Sequence, residues 1–144
     1  MLSDGDHIRN ILGAYCERID LADYDGVGAL FGDDGVLAAE DGTPLARGAA
    51  AIAAFYGGMI KLHDGLQRTK HVVANTVLEE DGDDLVTARS SYVVFQGTDD
   101  LPLQPIMAGR YVDRFERAAD GWRWVERRFL TDLVGHLSQH LGRI

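Results

Sequence analysis

The sequence predicts an α+β fold, with N-terminal helices packed on one side of a curved, mostly antiparallel sheet that wraps around them and encloses a pocket. Three observations predict it. Apolar residues at Ile8, Ile11, Leu12, Tyr15, Ile19 and Ala22 recur at the spacing of one helix face. From Gln67 onward, long runs rich in β-branched and aromatic residues follow one another, separated by turn-forming stretches such as Asp81-Gly82-Asp83 and Asp120-Gly121. Helices first and strands afterwards is the order of an α+β domain, not of alternating βαβ units.

Taken in order, Ser3 with Asp6 three residues later marks a helix start. The helix is predicted from His7 to Ala22, and at about 100° per residue Asp23 projects onto its apolar stripe. Arg18 falls at the edge of that stripe, with Glu17 and Asp20 further toward water. A short second helix is predicted over Val27 to Phe31, then a turn at Gly32-Asp33-Asp34-Gly35. Val36 to Ala39 and Thr43 to Ala46 suggest a small hairpin. An alanine-rich helix follows from Gly48 to about Leu62, burying Ile52, Phe55, Tyr56, Met59 and Ile60.

The run from Gln67 to Leu78 is apolar on both faces and is therefore predicted to lie inside the sheet. Alternation puts His71, Val73, Asn75 and Val77 on one of its faces. Strands over Leu85 to Phe95, Leu103 to Arg117 and Trp122 to Asp132 complete the sheet. Leucines at 133, 137 and 141 suggest a short terminal helix, with His136 and His140 on a solvated face.

At 144 residues the chain is expected to form one domain, 1–144, with a real core. Fourteen basic against 23 acidic residues give a net charge of −9 and a pI near 4.8. No basic stripe offsets this, which argues against nucleic acid or an anionic membrane surface as partner. The acidic start does not read as a signal peptide, and no apolar run approaches spanning length. One cysteine, Cys16, forbids an intramolecular disulfide and fits a reducing cytoplasm. No phosphate loop or dinucleotide fingerprint is present, and no cofactor is expected.

Tyr15 followed by Asp23-Tyr24-Asp25, then Leu30-Phe31-Gly32-Asp33-Asp34-Gly35, Gly48-x-x-x-Ile52 and His71-x-x-x-Asn75 occur in that order. The last strands read Gly109-Arg110-Tyr111-Val112-Asp113-Arg114-Phe115, Asp120-Gly121-Trp122-Arg123-Trp124 and Arg127. Together these resemble the nuclear transport factor 2-like, or SnoaL-like, superfamily over nearly the whole chain. The resemblance implies a cone-shaped α+β barrel. It is strongest to the lyase-like branch, which holds γ-hexachlorocyclohexane dehydrochlorinase, bile acid 7α-dehydratase and scytalone dehydratase. In that branch an aspartate at the end of the first helix pairs with a histidine on a central strand, which by motif are Asp23 and His71 here. The resemblance further implies roles for Arg18 and Arg127, and association into trimers or dimers.

The chemistry of such a set is elimination. A histidine whose ordinary pKa lies near neutrality suits removal of a proton from carbon. A carboxylate on its other nitrogen fixes the tautomer and stabilises the imidazolium, and a fixed arginine charge stabilises a developing anion. The expected function is a cofactor-independent, dehydratase-type lyase on a small, apolar, ring-containing molecule. Tyr15, Tyr24, Phe55, Asn75, Tyr111 and Trp124 are the expected substrate-pocket residues. An isomerase or polyketide-cyclase-type enzyme would use the same base, and a non-catalytic binding module would use the same pocket. The residues also admit structural readings: Asp23 as a helix cap, His71 as a satisfied core histidine, and Arg127 paired with Asp113 or Glu116.

Overall fold

The computed structural model describes residues 1–142. Its element order is α1 (Asp4–Asp20), α2 (Tyr24–Phe31), β1 (Val36–Ala38), β2 (Pro44–Arg47), α3 (Ala49–Met59), β3 (Thr69–Asp81), β4 (Leu85–Thr98), β5 (Leu101–Ala118) and β6 (Gly121–Val134). The strands form one open, curved sheet in the order β2-β1-β6-β5-β4-β3. All neighbours pair antiparallel except β1 with β6. This is the cone-shaped α+β arrangement expected, with the three helices on the inner face. Among the described residues, no helix is long and apolar enough to cross a membrane.

Local chemistry sets the helix boundaries. The Ser3 hydroxyl accepts from the Asp6 amide at 3.1 Å, and the Asp6 carboxylate accepts from the Ser3 amide at 3.1 Å. This reciprocal cap satisfies two of the free amides at the start of α1. At the other end, Ala22 takes a left-handed conformation with φ +57° and the chain turns sharply. Asp23 then caps α2, accepting from the Gly26 amide at 3.0 Å. Helices α2 and α3 lie very close: a Cβ on Gly28 would sit 2.3 Å from the Ala49 carbonyl oxygen. Any larger residue at 28 forces the helices apart.

Ile8, Leu12, Tyr15 and Ile19 of α1 bury with Val27, Phe31, Ile52 and Tyr56 against the inner face of the sheet. Trp124 is the centre of that packing, stacked on Phe31 at 4.1 Å and on Phe115 at 5.5 Å between ring centroids. Along β4, Val86, Ala88, Ser90, Tyr92, Val94 and Gln96 alternate inward, as the period of two requires.

Three expectations are corrected here. The strand carrying His71 is not central: β3 is the sheet edge, and Val72 and Val77 are 43% and 46% exposed. A β-bulge at Ala74 shifts its register, so His71 and Val73 face inward together with Thr76 and Leu78, while Asn75 and Val77 point out. One extra residue reverses the alternation. Finally, the tail forms no helix. Leu133 and Val134 extend β6, and the chain returns through a turn to an isolated bridge between Leu141 and Ile60.

Candidate active site

The inner end of α1 meets the start of β3 at a carboxylate. Asp20, the last residue of α1, accepts from His71 Nδ1 at 2.7 Å. The His71 amide lies 3.1 Å from both of its oxygens, and the Thr69 hydroxyl lies 2.9 Å from one. An ionised carboxylate only accepts, so the neutral ring takes the tautomer with its proton on Nδ1 and its lone pair on Nε2. The two side chains are 8% and 12% exposed. Three donors on one carboxylate hold it rigidly and hold the ring with it.

His71 also lines a cavity of about 240 Å³, whereas Asp20 stands behind it, outside that cavity's wall. The cavity is walled by aromatic side chains, with Tyr15 from α1, Phe55 and Tyr56 from α3, Tyr92 from β4, Tyr111 from β5 and Phe129 from β6. The Tyr15 and Tyr56 hydroxyls are 2.5 Å apart. Burial pushes the Tyr15 phenol up to about 12, against the opposing Arg127 charge and Tyr56 hydrogen bond. Burial also raises Tyr56, helped by its neighbour Tyr15. Both hydroxyls therefore stay protonated near neutral pH. One proton serves their mutual bond, and the other is free to donate.

Of the residues expected at a site, His71, Tyr15, Phe55 and Tyr111 are brought to this one cavity. The others are not. Asp23 is exposed and caps α2, because the helix ends before it and the turn at Ala22 swings it off the stripe. Asp20 takes the place beside His71. Arg18 donates to the Gly26 carbonyl at 2.7 Å and braces the α1–α2 corner. Asn75 lies beyond the bulge on the outer face. Tyr24 is one layer out, accepting from Gln67 at 2.9 Å and stacked on Tyr56. Trp124 is sealed in the core, its indole N–H donating to Asp113 at 3.2 Å.

Arg127 is wholly buried and forms a two-pronged pair with Asp113 at 2.8 and 3.0 Å, across directly paired positions of β5 and β6. Its guanidinium lies 3.5 Å from the Tyr111 ring centroid and 4.3 Å from that of Tyr15. Burial alone would lower its pKa, but the Asp113 charge and hydrogen bonds raise it above the ordinary arginine value. It is a buried charge behind the tyrosines and forms no part of the cavity wall.

Asp20, Tyr56, Gln67 and His140 were not among the expected site residues. For Asp20 a signal existed: Leu12, Cys16 and Asp20 form one i, i+4 row along the flank of the stripe. His140, expected on a solvated face, is 3% exposed and lines the cavity, its ring centroid 6.4 Å from that of His71. Burial, with the nearby His71, pushes its pKa down from the ordinary 6.5 to about 4, against the pull of Asp20. The unfolded chain therefore binds a proton below about 6.5 that the folded chain refuses until about 4. Stability is unaffected above that window and falls as the pH drops through it. Relative to a His140→Phe protein, the wild type is expected to lose about 3 kcal/mol between pH 7 and 4, read by urea unfolding at each pH. Parallel curves would show that His140 takes up its proton in the folded state.

Among the described residues, no group of three or more His, Cys, Asp or Glu side chains is placed to hold a metal ion. The open curved sheet, its three helices and the aromatic cavity between α1, α3 and the sheet define a protein of nuclear transport factor 2-like fold. The chain belongs to the SnoaL-like domain family, whose model matches residues 1–128. A solved Novosphingobium aromaticivorans protein, described as nuclear transport factor 2-like with a cystatin-like fold, is 28% identical, with a TM-score of 0.74 over 88% of this chain and 80% of its own. A Mycobacterium tuberculosis protein of unknown function is 27% identical, with a TM-score of 0.71 over 88% and 70%. ActVI-ORFA from Streptomyces coelicolor, at 22% identity and a TM-score of 0.70 over 87% and 94%, shares the fold. Comparison with curated proteins gives no match.

Proposed function

We propose that this protein is a cofactor-independent lyase that eliminates a leaving group, water in the dehydratase case, from a small apolar ring compound. The observation that carries the reading is the Asp20–His71 pair, its Nδ1–H held by the carboxylate at 2.7 Å and its ring on the wall of an aromatic cavity. In this reading His71 Nε2 takes a proton from carbon. Asp20 stabilises the imidazolium that forms, and the electron pair left on carbon closes the new double bond. The Tyr15–Tyr56 hydroxyl pair donates a hydrogen bond to the departing oxygen, an effect of the oxyanion-hole kind. That oxygen leaves as water by taking the proton that the His71 imidazolium gives up, which restores the neutral base. Arg127 contributes from behind the tyrosines through its buried charge. A cavity of about 240 Å³ lies below the usual span of ligand pockets and fits one or two fused rings.

The test is incubation with small cyclic alcohols and ketones in deuterated water, followed by mass spectrometry. The lyase should release water and place deuterium in recovered substrate. A His71→Ala protein should melt near the wild-type temperature and lose about 10²- to 10⁴-fold in rate. Exchange without loss of a group would favour the isomerase or cyclase reading. Binding without exchange, unchanged in His71→Ala, would leave a binding module.

A homo-oligomer is also part of the proposal. Val72 and Val93 are paired across the outer face at the β3 edge, and Leu133, near the end of β6, is 70% exposed. Such apolar exposure suits a contact between copies. A monomer mass by sedimentation at micromolar concentration would remove that part.

A further inference from the structure

We infer that His140 is a substrate-recognition residue that binds a hydroxyl group on the ring compound, making the substrate class hydroxylated rings and excluding plain or halogenated hydrocarbons. This rests on the cavity being the substrate site, although not on His71 being the base. The His140 ring lines the cavity without a side-chain hydrogen bond; its Nδ1 is sealed away unpaired, so Nε2 is the ring nitrogen open to a ligand. A buried polar atom left unpaired costs free energy that a partner recovers. With aromatic and aliphatic side chains supplying most of the wall, a ligand hydroxyl entering the cavity is a group that can pair with Nε2. A hydroxyl both donates and accepts, so it can satisfy a neutral imidazole in either tautomer. A chlorine or a methyl group cannot.

The position of His140 is built and does not depend on a loose tail. Its carbonyl accepts from the Lys61 amide at 2.8 Å, and its amide donates to Leu137 at 2.9 Å. The preceding carbonyl, of Gln139, accepts from Gln96 at 2.9 Å and from His63 at 2.7 Å. Leu141 bridges to Ile60 beyond it. Four hydrogen bonds and one β-bridge on three consecutive residues thus hold the ring at the cavity, beside His71. Neutrality near pH 7 follows from burial beside His71, so His140 meets its ligand as an uncharged partner.

The experiment measures binding of 2-naphthol and naphthalene to the whole chain by calorimetry, with histidine ring ¹⁵N shifts followed in parallel. The wild type is expected to bind 2-naphthol about tenfold more tightly than naphthalene, with the His140 ring nitrogens moving on 2-naphthol alone. His140→Phe, matched in bulk, should still bind naphthalene, which shows an intact cavity, and should lose the preference. His140→Gln should restore part of it. A preference that survives His140→Phe, or ring shifts confined to His71, overturns the proposal, and so does failure of 2-naphthol to bind at all. Naphthalene binding without His140-dependent preference would leave the lyase reading standing, whereas loss of that reading would appear as absent deuterium exchange with recognition intact.

Discussion

Asp20→Asn is expected to lower the elimination rate by at least about 10²-fold while Asp23→Asn leaves it within a factor of two. The reasoning starts from what each carboxylate holds. Asp20 orients His71 Nδ1–H, fixes the His71 amide and receives Thr69, so it sets both the tautomer and the tilt of the base. An asparagine offers one accepting oxygen where two served. Its NH₂ group can donate to Nδ1 and drive the proton to Nε2, leaving no lone pair toward the cavity. Removal of a correctly held general base is worth about 10²- to 10⁴-fold. Asp23 holds only the Gly26 amide, a role asparagine fills equally well. Asp23→Ala should instead cost about 1 kcal/mol of stability with the rate unchanged. The ¹⁵N shifts of the His71 ring test the same point without substrate. A wild-type tautomer in Asp20→Asn, or a rate loss in Asp23→Asn, would refute the assignment.

Arg127→Met is expected to cost about 3–5 kcal/mol, a large share of the stability of a domain of this size. The substitution leaves Asp113 wholly buried with its charge uncompensated, since only the Trp124 N–H remains on it. It also removes the guanidinium from between Tyr111 and Tyr15. A second change, Asp113→Leu in the Arg127→Met background, should recover most of the loss, because replacing both members of a buried pair by apolar groups is near neutral. Urea midpoints of the single and double variants read this directly. If Arg127→Met costs less than about 1 kcal/mol, the pair is not the structural element described. A double variant that regains stability but loses rate would show the arginine acting on the site through Tyr15.

Much of the fold was legible. Helix α1 follows from its apolar spacing and its Ser3–Asp6 cap, and the strands from their composition and turns. Of the residues expected at a site, His71, Tyr15, Phe55 and Tyr111 line one cavity; His71 was expected from the family resemblance, and Phe55 lies on the helix face that spacing predicted to be buried. The errors have specific physical sources. Extrapolating helical periodicity to Asp23 fails because the helix stops at Asp20 and Ala22 turns the chain. Asn75 was placed inward because strict alternation has no way to register a bulge. Val72 and Val77 made β3 look like a central strand, although they lie exposed on the outer face of an edge strand.

What the sequence determined by itself was local: where the main helices and long strands run, which face of each helix buries, and which ionisable types the chain has to work with. These depend on spacing, capping and turn chemistry within a few residues. What only the tertiary structure decided was partnership between distant residues. Asp20 meets His71 across 51 positions, and Asp113 meets Arg127 through the β5–β6 register. His140 enters the cavity because the tail bridges back to Ile60. Such pairings are fixed by register, bulges and the angle at which elements pack. A displacement of one residue in any of them gives a different site from the same side chains.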